Sequence, residues 1–168
     1  STRLGKLYKG DCLKVMDYLI EQGIKVDAII TDPPYAVTSY SWDQIIPFDQ
    51  MWDKLSKLIK DDGAIVLFGN EPFSSSLRMS NPKFYRYDWK WIKTQVTGFQ
   101  NAKYQPLRCY EDIMIFSKCG AVASAKPPMR YFPQGIIQVN LKVTTKPINY
   151  LGDKKSDEKD LKAWQKWM

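Results

Sequence analysis

Apolar residues in the first two thirds of the chain follow two patterns, short continuous runs and recurrences at helical spacing. Residues 26–30, 64–68 and 110–117 form nearly continuous apolar runs, which are typical of buried strands. Apolar positions recur at helical spacing over residues 11–21 and 48–59, and the first of these segments has Asp11 at its N-cap position. The pattern therefore predicts alternating strands and helices.

Weaker signals predict the remaining elements. Residues 4–9 form a short extended segment, residues 72–79 a short helix, and residues 85–93 an alternating strand in which Trp89 and Trp91 are expected to belong to the core. Residues 94–107 are rich in Gln and Asn and are expected to form a long loop. The order β-α-β-α-β-α-β-β predicts an α/β layer fold for the first 118 residues.

The amino-acid composition excludes several kinds of active site. The chain has no histidine, which excludes Ser-His triads and most zinc sites. Its cysteines, Cys12, Cys109 and Cys119, form no CxxC pair and indicate a reducing compartment, so we expect a cytoplasmic protein with no metal. No apolar run approaches the ~18 residues of a membrane span. The net charge of +7 favours a polyanionic partner such as nucleic acid, although a soluble basic protein without such a partner has the same charge.

The run 26–30 leads into Asp32-Pro33-Pro34-Tyr35. The two prolines prevent a helix or further ladder pairing, so the strand must end here. An acid, two rigid prolines and an aromatic ring are thus expected at the carboxyl end of a strand, where open α/β sheets bind ligands.

With this tetrapeptide, the chain resembles the DNA amino-methyltransferases, which transfer a methyl group from S-adenosylmethionine to an exocyclic amine. It is similar to the permuted (beta-class) group, in which DPPY precedes the cofactor motif. The resemblance covers residues 6 to 118 and includes Gly10-Asp11-Cys12-Leu13, residues 26–35, Asp62-Gly63 with Val66-Leu67-Phe68-Gly69, Trp91-Ile92-Lys93, and residues 108–118. It implies a Rossmann-like S-adenosylmethionine-dependent methyltransferase fold with an incomplete mixed sheet and flanking helices.

The resemblance also implies a catalytic site at Asp32, Pro33, Pro34 and Tyr35. An adenine N6 amine is a poor nucleophile because its lone pair is delocalised into the ring. Hydrogen-bond acceptors aimed at its two hydrogens would favour its attack, and Asp32 and the Pro33 carbonyl can supply them. Tyr35 offers a ring face to a base flipped out of the duplex.

Other implied contacts are less specific. Asp11, Cys12 and Asp32 are implied for the cofactor S-adenosylmethionine, although Asp11 is equally explained as a plain helix N-cap. Trp42 is expected in a loop that closes over the base, or else as a solvent-facing residue. A further set of residues is expected to contact base edges and phosphates, namely Gln100, Asn101, Lys103 and Arg130.

The chain departs from this family in one respect, because it has no Gly-rich FxGxG motif. In the related fold, the two cofactor-binding strands lie between residues 4–9 and the DPPY strand. Their absence would leave unpaired backbone groups in the sheet. Three explanations stay open: a longer protein with a further C-terminal segment, a split enzyme completed by a second chain, or a remnant that only binds DNA or protein.

The sequence predicts a DNA methyltransferase that methylates the N6 amine of a flipped adenine in duplex DNA, in a restriction–modification or phage context. Residues 1–118 are expected to form its catalytic half and residues 119–168 its target-recognition region and tail. Cytosine-N4 transfer uses the same geometry, but Asp at the first motif position favours adenine. A catalytically silent DNA-binding module is the alternative from another class, an RNA or protein-glutamine methyltransferase is less favoured, and a homodimer is left open.

Overall fold

The structure, a computed structural model, describes residues 4–132 and residue 134. The chain divides into two units, Ser1–Arg130 and Tyr131–Met168, and the elements below belong to the first. They are α1 (Cys12–Glu21), β1 (Val26–Thr31), α2 (Phe48–Leu58), β2 (Ile59–Gly69), α3 (Phe73–Ser80), β3 (Tyr85–Thr97), a 3₁₀ turn (Phe99–Asn101) and β4 (Arg108–Phe116). No helix within this described part is long and apolar enough to cross a membrane.

The four strands form one mixed sheet in the order β1-β2-β4-β3. β1 runs parallel to β2, whereas β4 runs antiparallel to both β2 and β3. The predicted mixed sheet with flanking helices is confirmed. The apolar residues of α2 and α3 pack against one face of this sheet and form the core with alternate residues of β2 and β4: Met51, Trp52, Leu55, Ile59, Ile65, Leu67, Phe73, Leu77, Met114 and Phe116.

A glycine allows β1 and β2 to pair through an irregular stretch. The register shifts between Val26, which pairs with Ile59, and Ala28, which pairs with Ala64. A Cβ atom at Gly63 would lie 2.7 Å from the carbonyl oxygen of Asp27, closer than non-bonded atoms approach. Glycine is therefore needed for the close approach of the two backbones at this point.

The first predicted strand is wrong. Residues 4–9 form no strand, and Leu4 and Leu7 are 98% and 99% exposed. The burial predicted for residues 26–30 is also wrong, because β1 is an edge strand and Ile30 is 69% exposed. Both errors have the same physical cause: in the described residues no strand pairs with the outer edge of β1.

The aromatic residues of β3 also differ from the prediction. β3 extends to Thr97, four residues further than expected, and Trp89 and Trp91 are exposed rather than in the core. Trp89 pairs in register with Ile113, whose side chain lies on the sheet face opposite Met114 and the helices. The alternation was predicted correctly, but these tryptophans lie on the sheet face against which none of the described helices packs.

Candidate active site

The DPPY turn directly follows β1. Thr31, the last residue of β1, pairs with Leu67 near the end of β2, so the turn lies at the carboxyl edge of the parallel pair. Pro33 is buried, Pro34 and Tyr35 are half-buried, and Asp32 is exposed. The predicted position of this motif at a ligand-binding strand end is thus reproduced by the fold.

Tyr35 closes the turn with both parts of its side chain. Its ring packs on Phe73 of α3 with the ring centroids 5.0 Å apart, and its hydroxyl donates a hydrogen bond to Oδ1 of Asp32. Burial of the phenol, followed by its bond to the Asp32 carboxylate, raises the pKa of Tyr35, so the hydroxyl stays protonated and continues to donate. Among residues 4–132 and 134, no group donates a hydrogen bond to the other oxygen of Asp32.

A buried carboxylate fixes the loop that follows the turn. Asp43 is 6% exposed and accepts hydrogen bonds from the backbone N–H groups of Ala36 (2.9 Å), Val37 (2.9 Å) and Thr38 (2.7 Å), and from the Thr38 hydroxyl (2.7 Å). The Thr38 hydroxyl, supported by these N–H groups and against the effect of burial, lowers the pKa of Asp43. The sequence offered only a weak signal for this role, an acidic residue at the end of a polar loop.

Trp42 lies in this loop, stacked on Tyr40. The ring centroids are 5.8 Å apart and the ring planes differ by 12°. Because Asp43 is bonded to Ala36, the residue after Tyr35, the loop returns to the DPPY turn and carries the two rings beside it. Trp42 is thus an exposed residue of a loop that is bonded to the residue after the motif, and its contact with a base stays a prediction.

The turn between β3 and β4 carries three predicted contact residues. Gln100, Asn101 and Lys103 are all exposed. Gly69 at the end of β2 pairs with Asp112, and β4 continues from there to Arg108, its first residue. The β3–β4 turn therefore projects beyond the same edge of the sheet that holds DPPY.

The last predicted contact residue lies elsewhere. Arg130 forms an ion pair with Asp62, with Nε and Oδ2 2.6 Å apart. Asp62 precedes Leu67 by five residues, roughly 15 Å at the usual rise of a strand. The structure thus brings Trp42, Gln100, Asn101 and Lys103 to the edge that holds DPPY, but not Arg130.

Two of the three residues predicted for the cofactor, Asp11 and Cys12, lie at the start of α1. Asp11 is exposed, and its Oδ1 accepts hydrogen bonds from the N–H groups of Leu13 (3.0 Å) and Lys14 (3.1 Å). The helix-cap interpretation of Asp11 is confirmed. Cys12 is the first residue of the helix and is exposed. A cofactor contact by either residue stays a prediction.

The structure also contains an ionic network that was not predicted from the sequence. Asp112 of β4 is 2% exposed and pairs with Lys90 and with Arg78, whose Nη2 lies 3.1 Å from Oδ2 of Asp112. Burial alone would raise the pKa of Asp112, but the hydrogen bond from Lys90 and the charge of Arg78 hold it below its ordinary value. The signal was present, because Asp112 alternates with the buried residues Met114 and Phe116.

Two solved structures share this fold. The crystal structure of the M1.HpyAVI-SAM complex matches with a TM-score of 0.52 and 22% identity over 67% of this chain and 53% of that chain. M1.HpyAVI alone matches with a TM-score of 0.51 and 22% identity over 66% of this chain and 55% of that chain. The PvuII DNA methyltransferase (cytosine-N4-specific) gives a TM-score of 0.46 and 16% identity over 66% of this chain and 48% of that chain.

These comparisons define the fold. No protein-family model matches the chain, and no curated protein matches it by sequence. The chain spans about half the length of the solved structures that it matches. The mixed sheet with flanking helices is thus the fold that this chain shares with M1.HpyAVI.

Proposed function

We propose that this chain provides the base-binding part of a DNA methyltransferase that acts on an exocyclic amine of a nucleobase. The observation that carries this proposal is the DPPY turn itself, in which Tyr35 holds one oxygen of Asp32 at the carboxyl edge of a parallel strand pair. Within the described residues, no group donates to the second oxygen, which would accept from a ligand. The fold shared with M1.HpyAVI, whose structure was solved with SAM, supports the proposal.

The turn suits an amine. The Asp32 oxygen that is not bonded to Tyr35 and the carbonyl oxygen of Pro33 would accept hydrogen bonds from the two N–H groups of the amine. These two bonds would raise the electron density on the amine nitrogen. Pro33 is buried and has no N–H of its own, so the turn is rigid and presents an acceptor without a competing donor. Tyr35, half-buried against Phe73, would stack its exposed part on the flipped base.

The residues at this edge also suit the cofactor. S-adenosylmethionine, when bound, supplies an electrophilic methyl group. Asp11 and Asp32 are exposed carboxylates that accept hydrogen bonds from ammonium and hydroxyl groups, both of which this cofactor carries. We therefore assign Asp11 and Cys12 to the cofactor side of the site, Pro33 and Tyr35 to the base side, and Asp32 to the boundary between the two, where it accepts from the amine and borders the cofactor.

Duplex DNA with adenine N6 as the acceptor is the proposed substrate. The net charge of +7 suits a polyanion, and the exposed Gln100, Asn101 and Lys103 project from the same sheet edge as DPPY. Asp at the first motif position favours adenine, while the cytosine N4 amine would present the same two hydrogens to the same two acceptors.

The test is transfer of a labelled methyl group from S-adenosylmethionine to duplex DNA. We expect Asp32→Ala to lower kcat at least about 100-fold, because one of two preorganised acceptors is lost. Asp53→Ala is the matched control, since Asp53 is an exposed carboxylate on α2 whose side chain pairs with Lys57 and with no other described residue. Equal transfer by wild type and Asp32→Ala would overturn the mechanism.

A second candidate function is a DNA-binding module without catalysis. It is favoured by the outer edge of β1, with which no described strand pairs, and by α1, which has no buried residue. Isothermal titration with S-adenosylmethionine separates the two candidates. Heat of binding that is lost in Asp11→Ala and Asp32→Ala supports the enzyme, whereas no binding, with DNA binding retained in Asp32→Ala, supports the module.

A further inference from the structure

The loop after the DPPY turn carries an exposed aromatic pair. Tyr40 and Trp42 are 64% and 68% exposed, and their rings lie within 12° of parallel. A single exposed aromatic residue is ordinary in proteins. Two stacked rings in one short loop, beside a candidate base-binding turn, instead form a preformed flat surface.

Polar interactions, rather than apolar packing, hold this pair in place. The Asp43 carboxylate binds three backbone N–H groups and one hydroxyl at the start of the loop, and the Asp43 N–H donates to the Tyr40 carbonyl at 3.0 Å. Ala36 has a φ of 56°, a left-handed conformation that a residue with a Cβ adopts only when its surroundings impose it. The loop is thus built to one shape around a buried acid.

We propose that Tyr40 and Trp42 form a platform on which an unpaired nucleobase stacks, and that Asp43 is the positioning residue that holds this platform. The inference rests on the proposed function, because the platform takes a second base of the nucleic acid whose target base enters the DPPY turn. Base stacking on an aromatic side chain tolerates any base, since every base has a π-face.

The surroundings of the pair favour a nucleobase over a protein partner. Thr38, Ser39 and Ser41, which flank the two rings along the chain, are exposed hydroxyl residues. The core of a protein interface is usually a continuous apolar patch, whereas a flat ring within a polar rim suits a base with its polar edges. The overall charge of +7 also favours a polyanion.

The test is binding of a short fluorescein-labelled DNA duplex with two unpaired adenines, compared with a duplex that has one, at one fixed salt concentration. We expect the wild-type protein to prefer the duplex with two unpaired adenines and Trp42→Ala to lose about 5- to 100-fold in affinity for that duplex alone. Trp42→Phe should retain most of the affinity. Trp89→Ala is the matched control, because Trp89 is 53% exposed on another part of the sheet.

Asp43 is tested through its coupling to Trp42. Asp43→Asn should weaken binding of the duplex with two unpaired adenines several-fold in the wild-type background and have no further effect in the Trp42→Ala background. A purely structural role would give the same loss in both backgrounds, and circular dichroism of each variant reports folding separately.

The outcomes separate this inference from the proposed function. Unchanged affinity in Trp42→Ala, with methyl transfer that depends on Asp32, overturns the platform alone. Loss of binding in Trp42→Ala from a wild type that transfers no methyl group supports the platform and overturns the proposed function. Unchanged DNA binding together with a loss of self-association in Trp42→Ala would assign the pair to a protein interface and overturn the inference.

Discussion

β1 and β2 are neighbouring parallel strands with similar apolar sequences, but their surroundings differ. β2 lies between β1 and β4, and its residues Ile65 and Leu67 are fully buried against α2 and α3. Among the described strands β1 pairs with β2 alone, and Ile30 is 69% exposed. The same kind of apolar run therefore forms the centre of the fold in one strand and an open edge in the next.

The difference shows what an apolar run does and does not determine. Val, Ile and Ala residues fix the extended backbone of both strands, but burial depends on the elements that cover them. The candidate site lies at the boundary between the two regions. Pro33 is buried and Tyr35 packs on the core residue Phe73, whereas Asp32 is exposed beside the open edge.

Truncating one apolar residue in each strand tests this contrast with the largest expected effect. Leu67→Ala should lower the free energy of unfolding by about 2–5 kcal/mol, because it leaves a cavity in the core. Ile30→Ala should change it by less than about 0.5 kcal/mol, because the side chain is already solvated. Urea denaturation measures both values. A loss of similar size in Ile30→Ala would mean that β1 is covered in solution.

The ionic network of Asp112, Lys90 and Arg78 gives a smaller effect on the free energy of unfolding, and this effect depends on pH. Asp112→Asn should cost roughly 1–3 kcal/mol near neutral pH, because Lys90 and Arg78 lose their shared charged acceptor. Since the pKa of Asp112 is lowered in the folded protein, its contribution is present above the ordinary value of 3.8 and is lost as the pH falls through the lower folded value.

Unfolding measured from pH 7 downward checks this sign. The difference between wild type and Asp112→Asn should stay constant down to about pH 5 and shrink toward zero as the pH falls further below 3.8. Asp53→Asn is the control, as its exposed i,i+4 pair with Lys57 contributes only about 0.2–0.5 kcal/mol. A difference that instead grows in acid would contradict the lowered pKa.

The cap of α1 gives the smallest and most local effect. α1 has no buried residue, so its first turn depends on the Asp11 cap. Asp11→Ala should cost about 1 kcal/mol and speed hydrogen exchange in this turn, whereas Asp11→Ser keeps a capping oxygen and should cost less. Hydrogen exchange followed by mass spectrometry measures the difference. Equal exchange in all three proteins would show that other contacts hold the helix.

Much of the fold was predictable because local patterns agree with it. The spacing of Met51, Trp52 and Leu55 predicts α2, and the nearly continuous apolar run at residues 110–117 predicts β4. Position within the sheet was not predictable from these patterns. Residues 4–9 were expected to form a strand, but in the described residues they have no ladder partner.

The features of the candidate site likewise divide into those that the sequence predicts and those that it does not. The rigid end of β1 at Asp32 and Pro33 follows from the prolines, and the Asp11 cap follows from its position before an apolar helix. The Asp43 clamp and the Tyr35–Asp32 bond join groups whose geometry depends on a folded loop, so spacing alone does not specify them. Arg130 was predicted as a site residue because of its charge, but the charge of a residue does not determine where in the fold it lies. Arg130 pairs with Asp62 instead.

The central claim is that Asp32 and Pro33 orient an exocyclic amine for methylation, and product analysis tests it most directly. Duplex DNA is incubated with the protein and S-adenosylmethionine that carries a deuterated methyl group, then digested to nucleosides for mass spectrometry. The account predicts labelled N6-methyladenine with wild type and with Asp53→Ala, and none with Asp32→Ala. Label on a ring carbon, or equal labelling with Asp32→Ala, would contradict it.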